Sequence, residues 1–178
     1  LLRERISVQS FEDIIMQIAE NYPQPIFYRL MNSLSTHDTE RVLSVLGDAP
    51  PLTREERASY SLSKDSLSFA LEREKAAVFL QFLVPGIPCI YYGDEVVLEG
   101  FEDPFNRRFY PWGEENEDLK KFYINMAELR NLIPKDSEIT FIPHSECVIF
   151  RRGDFIAVCN PKNKEQRISC KYSLPYYL

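Results

Sequence analysis

Apolar residues Phe11, Ile14, Ile15 and Ile18 recur at i, i+3, i+4 and i+7, the spacing of one helical face. Ser10 with Asp13 supplies a capping-box-like start, and Asn21-Tyr22-Pro23 supplies the stop. A mainly apolar run over 26–34 then predicts a buried strand. It ends abruptly at Ser35-Thr36-His37-Asp38 and gives way to a helix-like Thr39-Glu40-Arg41-Val42-Leu43. Gly47-Asp48-Ala49-Pro50-Pro51 breaks the chain, and the polar stretch 52–64 reads as a surface excursion. A helix follows over 71–83, with Leu71, Val78, Phe79 and Phe82 on one face. Pro85-Gly86-Ile87-Pro88 closes it and opens a short strand over 89–92.

Beyond the polar loop 100–113, Asn116 can cap a helix striped by Leu119, Phe122, Tyr123, Met126 and Leu129. Its acidic start and Arg130 near its end match the helix dipole. From Ser137 the pattern changes to short β-rich runs at 138–142, 147–152, 155–160 and 166–170, separated by turn residues. The order is helix, strand, helix, strand, helix, then antiparallel meander. Two β/α units of a parallel sheet are thus followed by an all-β appendage, and we place the boundary between 1–135 and 136–178. Two parallel strands do not make a stable sheet alone, because both faces and both edges need cover.

Composition narrows the class. The 178 residues are 44% hydrophobic and 13% aromatic, which describes a core-forming protein. Net charge is −6, and the basic pairs Arg107-Arg108 and Arg151-Arg152 stand isolated, so there is no nucleic-acid footprint. Cys89, Cys147, Cys159 and Cys170 lack CxxC spacing and read as small buried hydrophobes, which favours a reducing, cytoplasmic setting. No apolar run approaches the ~20 residues of a membrane span.

Both predicted strands end in charged groups: His37-Asp38 after the first, Gly93-Asp94-Glu95 and then Asp103-Pro104-Phe105-Asn106-Arg107-Arg108 after the second. The C-terminal ends of parallel strands are where α/β proteins place their chemistry. Plainer roles exist for the same residues. Ser35 and Asp38 could form a capping box for a helix over 39–46, and Asp103 with Arg107 could be a loop-stabilising ion pair. Asp94 and Glu95 are adjacent, seldom share a pocket, and read as rim hydrogen-bonding groups. Among the aromatics, Trp112 and Phe105 are expected to be exposed. A His-Asp doublet also occurs in metal-dependent phosphohydrolases, but the only other histidine is His144 in the β region, so metal coordination is poorly supported.

Three blocks together resemble the α-amylase family of glycoside hydrolases, especially its neopullulanase, cyclomaltodextrinase and maltogenic-amylase branch. Asn32-Ser33-Leu34-Ser35-Thr36-His37-Asp38-Thr39 is similar to the end of barrel strand seven. The stretch from Leu83-Val84-Pro85-Gly86 through Tyr91-Tyr92-Gly93-Asp94-Glu95 is similar to strand eight, and Asp103–Arg108 with Tyr110-Pro111-Trp112 to the loop beyond it. The resemblance covers about residues 8–133. It implies the C-terminal portion of a (β/α)8 TIM barrel followed by the start of an antiparallel β-sandwich domain.

By the same resemblance Asp38 is the transition-state-stabilising carboxylate, His37 binds the reacting sugar, and Asp103 and Arg107 contact further glucose units. The family's nucleophile and acid/base lack counterparts here, and a barrel needs ~250 residues, so the chain alone is expected to be inactive. The implied partners are an α-glucan oligosaccharide (maltooligosaccharide, cyclodextrin or pullulan) and the remainder of the barrel, with room for a homodimer of the parent enzyme. No organic cofactor is implied, and calcium, used by some relatives, has no visible ligand cluster. The alternative is a non-catalytic carbohydrate-binding or assembly fragment derived from such an enzyme.

Overall fold

The computed structural model describes residues 1–3, 5–162 and 164–169. Helix α1 (Val8–Asn21) starts a turn earlier than the spacing of its isoleucines suggests, because Ser7 rather than Ser10 accepts the amide of N3 at 3.0 Å. The apolar run 26–34 is not one strand. Pro23-Gln24-Pro25 fixes φ near helical values and nucleates a one-turn helix α2 (Gln24–Phe27), which leaves only β1 (Met31–Ser33) extended. A short apolar run does not by itself distinguish the two periods. After α3 (Val42–Leu46) and the one-turn α4 (Arg54–Arg57), helix α5 (Lys64–Leu83) begins seven residues before its apolar face, capped by Ser63.

Strand β2 (Ile87–Cys89) pairs parallel to β1, with Asn32 opposite Pro88. It lies earlier than the expected 89–92, since Tyr91 and Tyr92 already belong to the turn that enters a short 3-10 segment, Asp94–Val96. The register of the pair is pinned from behind. Gln81 Nε2 of α5 donates to Asn32 O at 2.7 Å and to Cys89 O at 3.0 Å, and Asn32 Nδ2 returns a bond to Pro85 O at 2.9 Å. Gly86 is obligatory in that corner. Its φ is +113°, and a Cβ there would lie 2.6 Å from Asn32 Oδ1 and 2.7 Å from Leu30 O. No further strand joins β1 and β2 among the described residues, and apolar side chains on the pair stand open, Met31 at 73% exposure.

Helix α6 (Glu117–Leu132) begins where expected, Asn116 Oδ1 accepting the Leu119 amide at 2.9 Å. Three strands follow in an antiparallel meander, β3 (Ile139–Phe141), β4 (Val148–Arg152) and β5 (Phe155–Cys159). The fourth expected run is different: residues 166–169 form no strand, and Cys170 lies outside the described residues. Of the other cysteines, Cys147 and Cys159 are buried as expected and Cys89 is half-buried, all three unpaired.

The meander and the helices share one core. Val78, Phe82 and Leu83 of α5, Leu119, Tyr123 and Met126 of α6, and Val148, Phe150, Ala157 and Cys159 of the sheet form a single buried cluster with Val8 of α1. Side chains of this size contribute ~1.5–3 kcal/mol each when taken from water. A smaller cluster seats α3 on α5 through Val42, Leu43, Leu46, Ala70 and Ala77. Arg152 of β4, fully buried, ties the layers together. Its guanidinium donates to Leu83 O, Val84 O, Lys135 O and Ser137 O at 2.9–3.4 Å, satisfying carbonyls at the end of α5 and in the turn after α6. Among the described residues no helix is long and apolar enough to cross a membrane.

Candidate active-site rim

The turn that leaves β1 is closed by hydroxyl groups. Buried Ser35 Oγ accepts the Val42 amide at 2.8 Å, Thr39 Oγ1 accepts the Thr36 amide at 2.9 Å, and Thr36 Oγ1 accepts the Asp38 amide at 3.2 Å. With backbone and hydroxyls occupied by one another, the His37 and Asp38 side chains project outward, 66% and 72% exposed, His37 Nε2 lying 3.2 Å from Asp38 Oδ2. The capping box that Ser35 and Asp38 could have formed is not made. Helix α3 begins at Val42 rather than at residue 39, and its cap position, Arg41, has no side-chain bond to the helix amides.

The loop beyond β2 returns to this turn. Its Asp103–Pro104 peptide is cis, and Arg107 Nε reaches Asp103 Oδ1 at 2.5 Å, both side chains about half exposed. The ion pair is therefore real, and it sits beside the first turn, because Arg107 Nη2 also donates to His37 O at 3.4 Å. All four residues singled out from the sequence thus share one open rim. A planar guanidinium held by a carboxylate, next to an imidazole and a second carboxylate, offers donors and acceptors in the geometry that vicinal hydroxyls require.

Two residues that sequence reasoning passed over hold this rim together. Asn106 is fully buried, and its Nδ2 lies 3.1, 2.9 and 2.8 Å from the carbonyls of Thr36, His37 and Thr39. Arg41, also fully buried, donates from Nε to Asn106 O at 2.9 Å and from Nη1 to Tyr92 O at 2.5 Å and Asp94 Oδ1 at 2.9 Å. Its guanidinium carbon lies 4.4 Å and 4.8 Å from the ring centroids of Tyr91 and Tyr92. Nothing in the local pattern distinguishes Arg41 from a solvated helix-start arginine. Its role depends on contacts more than fifty residues away.

Asp94 and Glu95 behave as rim hydrogen-bonding groups. Burial pushes the Asp94 carboxyl up to about 6, against the opposing pull of Ser35 and Arg41. Glu95 accepts the Gly93 amide at 2.8 Å. Of the aromatics, Trp112 is 82% exposed as expected. Phe105 is not exposed, being half-buried beneath Arg54, whereas Phe109, not expected, is 98% exposed. His144 is far from His37 in role as well as in sequence, since its Nδ1 accepts the amides of Glu146 and Cys147 in a β-region turn. No group of three or more His, Cys, Asp or Glu side chains placed to hold a metal ion occurs among the described residues.

No family model matches the chain. Individual proteins do. An amylopullulanase from Thermoanaerobacter thermohydrosulfuricus is 41% identical over 126 residues, covering 71% of this chain and 8% of that protein. Neopullulanase 2 from Thermoactinomyces vulgaris is 31% identical over 128 residues, covering 71% of this chain and 18% of the relative. In structure, the chain is similar to a cyclic α-maltosyl-(1→6)-maltose hydrolase from Arthrobacter globiformis in complex with maltose. That match has a TM-score of 0.66 at 25% identity and covers 86% of this chain and 31% of that one. The chain therefore spans well under two thirds of the proteins it matches. By sequence and by fold it is a relative of the α-amylase family of glycoside hydrolases, the group that includes amylopullulanase, maltogenic α-amylase, cyclomaltodextrinase and neopullulanase.

Proposed function

We propose that this chain supplies the strand-seven and strand-eight rim of a retaining α-glucan hydrolase. On this reading residues 1–135 are the last β/α units of the barrel and 136–178 begin the C-terminal β domain. Asp38 stabilises positive charge on the sugar ring as the glycosidic bond breaks, when that charge is greatest and an interaction accelerates most. His37 hydrogen-bonds hydroxyls of the same sugar, and the Asp103–Arg107 fork grips a neighbouring glucose unit. The nucleophile and the acid/base come from the remainder of the barrel, so the chain alone does not turn over substrate. Maltooligosaccharides, cyclodextrins or pullulan are the substrates that the relatives' names favour.

The observation that carries this reading is the 3.4 Å contact from Arg107 to the His37 carbonyl, which joins the exits of two parallel strands into one surface. Plain loop stability gives no reason to leave His37 and Asp38 so exposed on a turn whose own hydrogen bonds are complete. The test is Asp38→Asn in the full-length protein that carries this segment, assayed on an aryl α-maltoside. Preorganised groups of this kind are worth ~10²-fold or more in rate, so turnover should fall at least that far. Turnover within a fewfold of the parent would refute the role.

A further inference from the structure

The geometry points to Asn106 as a positioning residue for Asp38, an inference that rests on the transition-state role just proposed. The carbonyls that Asn106 Nδ2 meets belong to Thr36, His37 and Thr39, which bracket residue 38 on both sides. An amide nitrogen has two hydrogens, so three acceptors within 3.1 Å of it share both. The backbone on either side of Asp38 is thereby fastened to one buried atom. The hydroxyl bonds of Thr36 and Thr39 close the turn on itself, whereas Asn106, with three contacts against the single longer one from exposed Arg107, fastens the turn to the buried frame.

Asn106 is itself held. Its own carbonyl accepts from Arg41 Nε, and Arg41 is fixed by Asp94, by Tyr92 O and by the two tyrosine rings at the exit of β2. Gly100 allows the loop to close this tightly, because a Cβ there would lie 2.5 Å from Phe105 O and 2.8 Å from Asn106 Cα. Gly100 also accepts the Arg41 amide at 3.0 Å and donates to Ser44 Oγ at 2.9 Å. The chain of contacts therefore runs from the second strand's exit, through Arg41 and Asn106, to the turn that carries Asp38. The same loop carries Asp103 and Arg107. Asn106 thus sets the distance between the carboxylate that meets the reacting sugar and the fork that grips its neighbour, without touching either sugar.

The test compares Asn106→Ala and Asn106→Asp, each alone and combined with Asp38→Asn, in the full-length protein with an activated aryl α-maltoside. Displacing a reactive group by about 1 Å costs about 10²-fold in rate, so kcat should fall about 10- to 100-fold while KM stays within about threefold. The effect should vanish in the Asp38→Asn background, because a residue acting through Asp38 has nothing left to position. The aspartate variant keeps the volume and regains a donor when protonated. Its activity relative to the parent should therefore recover as pH falls, whereas the alanine variant's should not. Unchanged kcat, or losses that multiply with that of Asp38→Asn, would overturn the positioning role. Crippled Asp38→Asn beside intact Asn106 variants sinks this inference alone; an active Asp38→Asn sinks the reading beneath it as well.

Discussion

Glu74 is a carboxylic acid sealed in the centre of the helical layer, and replacing it with glutamine should make the protein's stability less dependent on pH. Its side chain is fully buried on α5, Tyr123 donates to Oε1 at 3.0 Å, and Oε2 has no partner. Burial, reinforced by the nearby Asp94 and Glu95 and only partly offset by Tyr123 and Arg41, raises its pKa from 4.5 to about 8. Between those values the folded chain holds a proton that the unfolded chain has released, so stability falls as pH rises. The slope is about 1.4 kcal/mol per pH unit, which gives about 3 kcal/mol between pH 5 and pH 7 and, as the slope flattens near the folded value, about 3.5 kcal/mol by pH 8. Glu74→Gln keeps the volume and still accepts from Tyr123, but it carries no proton to lose. Urea unfolding of parent and variant at pH 5, 7 and 8 measures the difference directly. The variant should gain on the parent by about 3 kcal/mol from pH 5 to pH 7. A stability difference that stays flat with pH would show that Glu74 is ionised in the fold, and would refute the reasoning.

Other substitutions address the frame of the rim. Arg41→Met leaves Asp94 buried without its partner and strands the carbonyls of Tyr92 and Asn106, so urea unfolding at pH 7 should show a loss of about 3–5 kcal/mol. A loss under about 1 kcal/mol would mean the pair is not buried as described. Gly86→Ala forces a side chain onto Asn32 and Leu30 at a left-handed φ, and thermal melting should report a cost of about 1–3 kcal/mol or more; near-neutrality would contradict the pinned register of β1 and β2. Asp38→Asn, expected on the proposed role to lower turnover of the full-length protein, should leave the melting temperature of this chain almost unchanged, because an exposed pair contributes little to stability. A large drop in melting temperature would assign Asp38 to the frame instead.

The elements legible in the sequence were those whose signals are local. Asn116 announces α6 because its cap and its stripe lie within one turn of each other, and the β-meander is marked by Arg152-Gly153-Asp154 between two apolar runs. The run 26–34 misled because its apolar content is equally suited to a strand and to the helical turn that Pro23 and Pro25 impose. The start of α5 was hidden because its first turn is polar and solvent-facing, so only the Ser63 cap marks it. At the rim, His37, Asp38, Asp103 and Arg107 were readable from strand ends and from the three ordered motif blocks. Arg41 and Asn106 were not, because their partners lie 51 to 70 residues away and a buried arginine is spelled like an exposed one.

The guanidinium of Arg152 decides how the two halves of this molecule move. Swinging the meander away from the helices would unseat four carbonyl acceptors in one stroke and drag a cation through the apolar cluster around Phe150. No cheap hinge exists there. Thermal motion should carry sheet and helices as one rigid block, and slow amide exchange in β4 should rise and fall in step with that of α5 and α6.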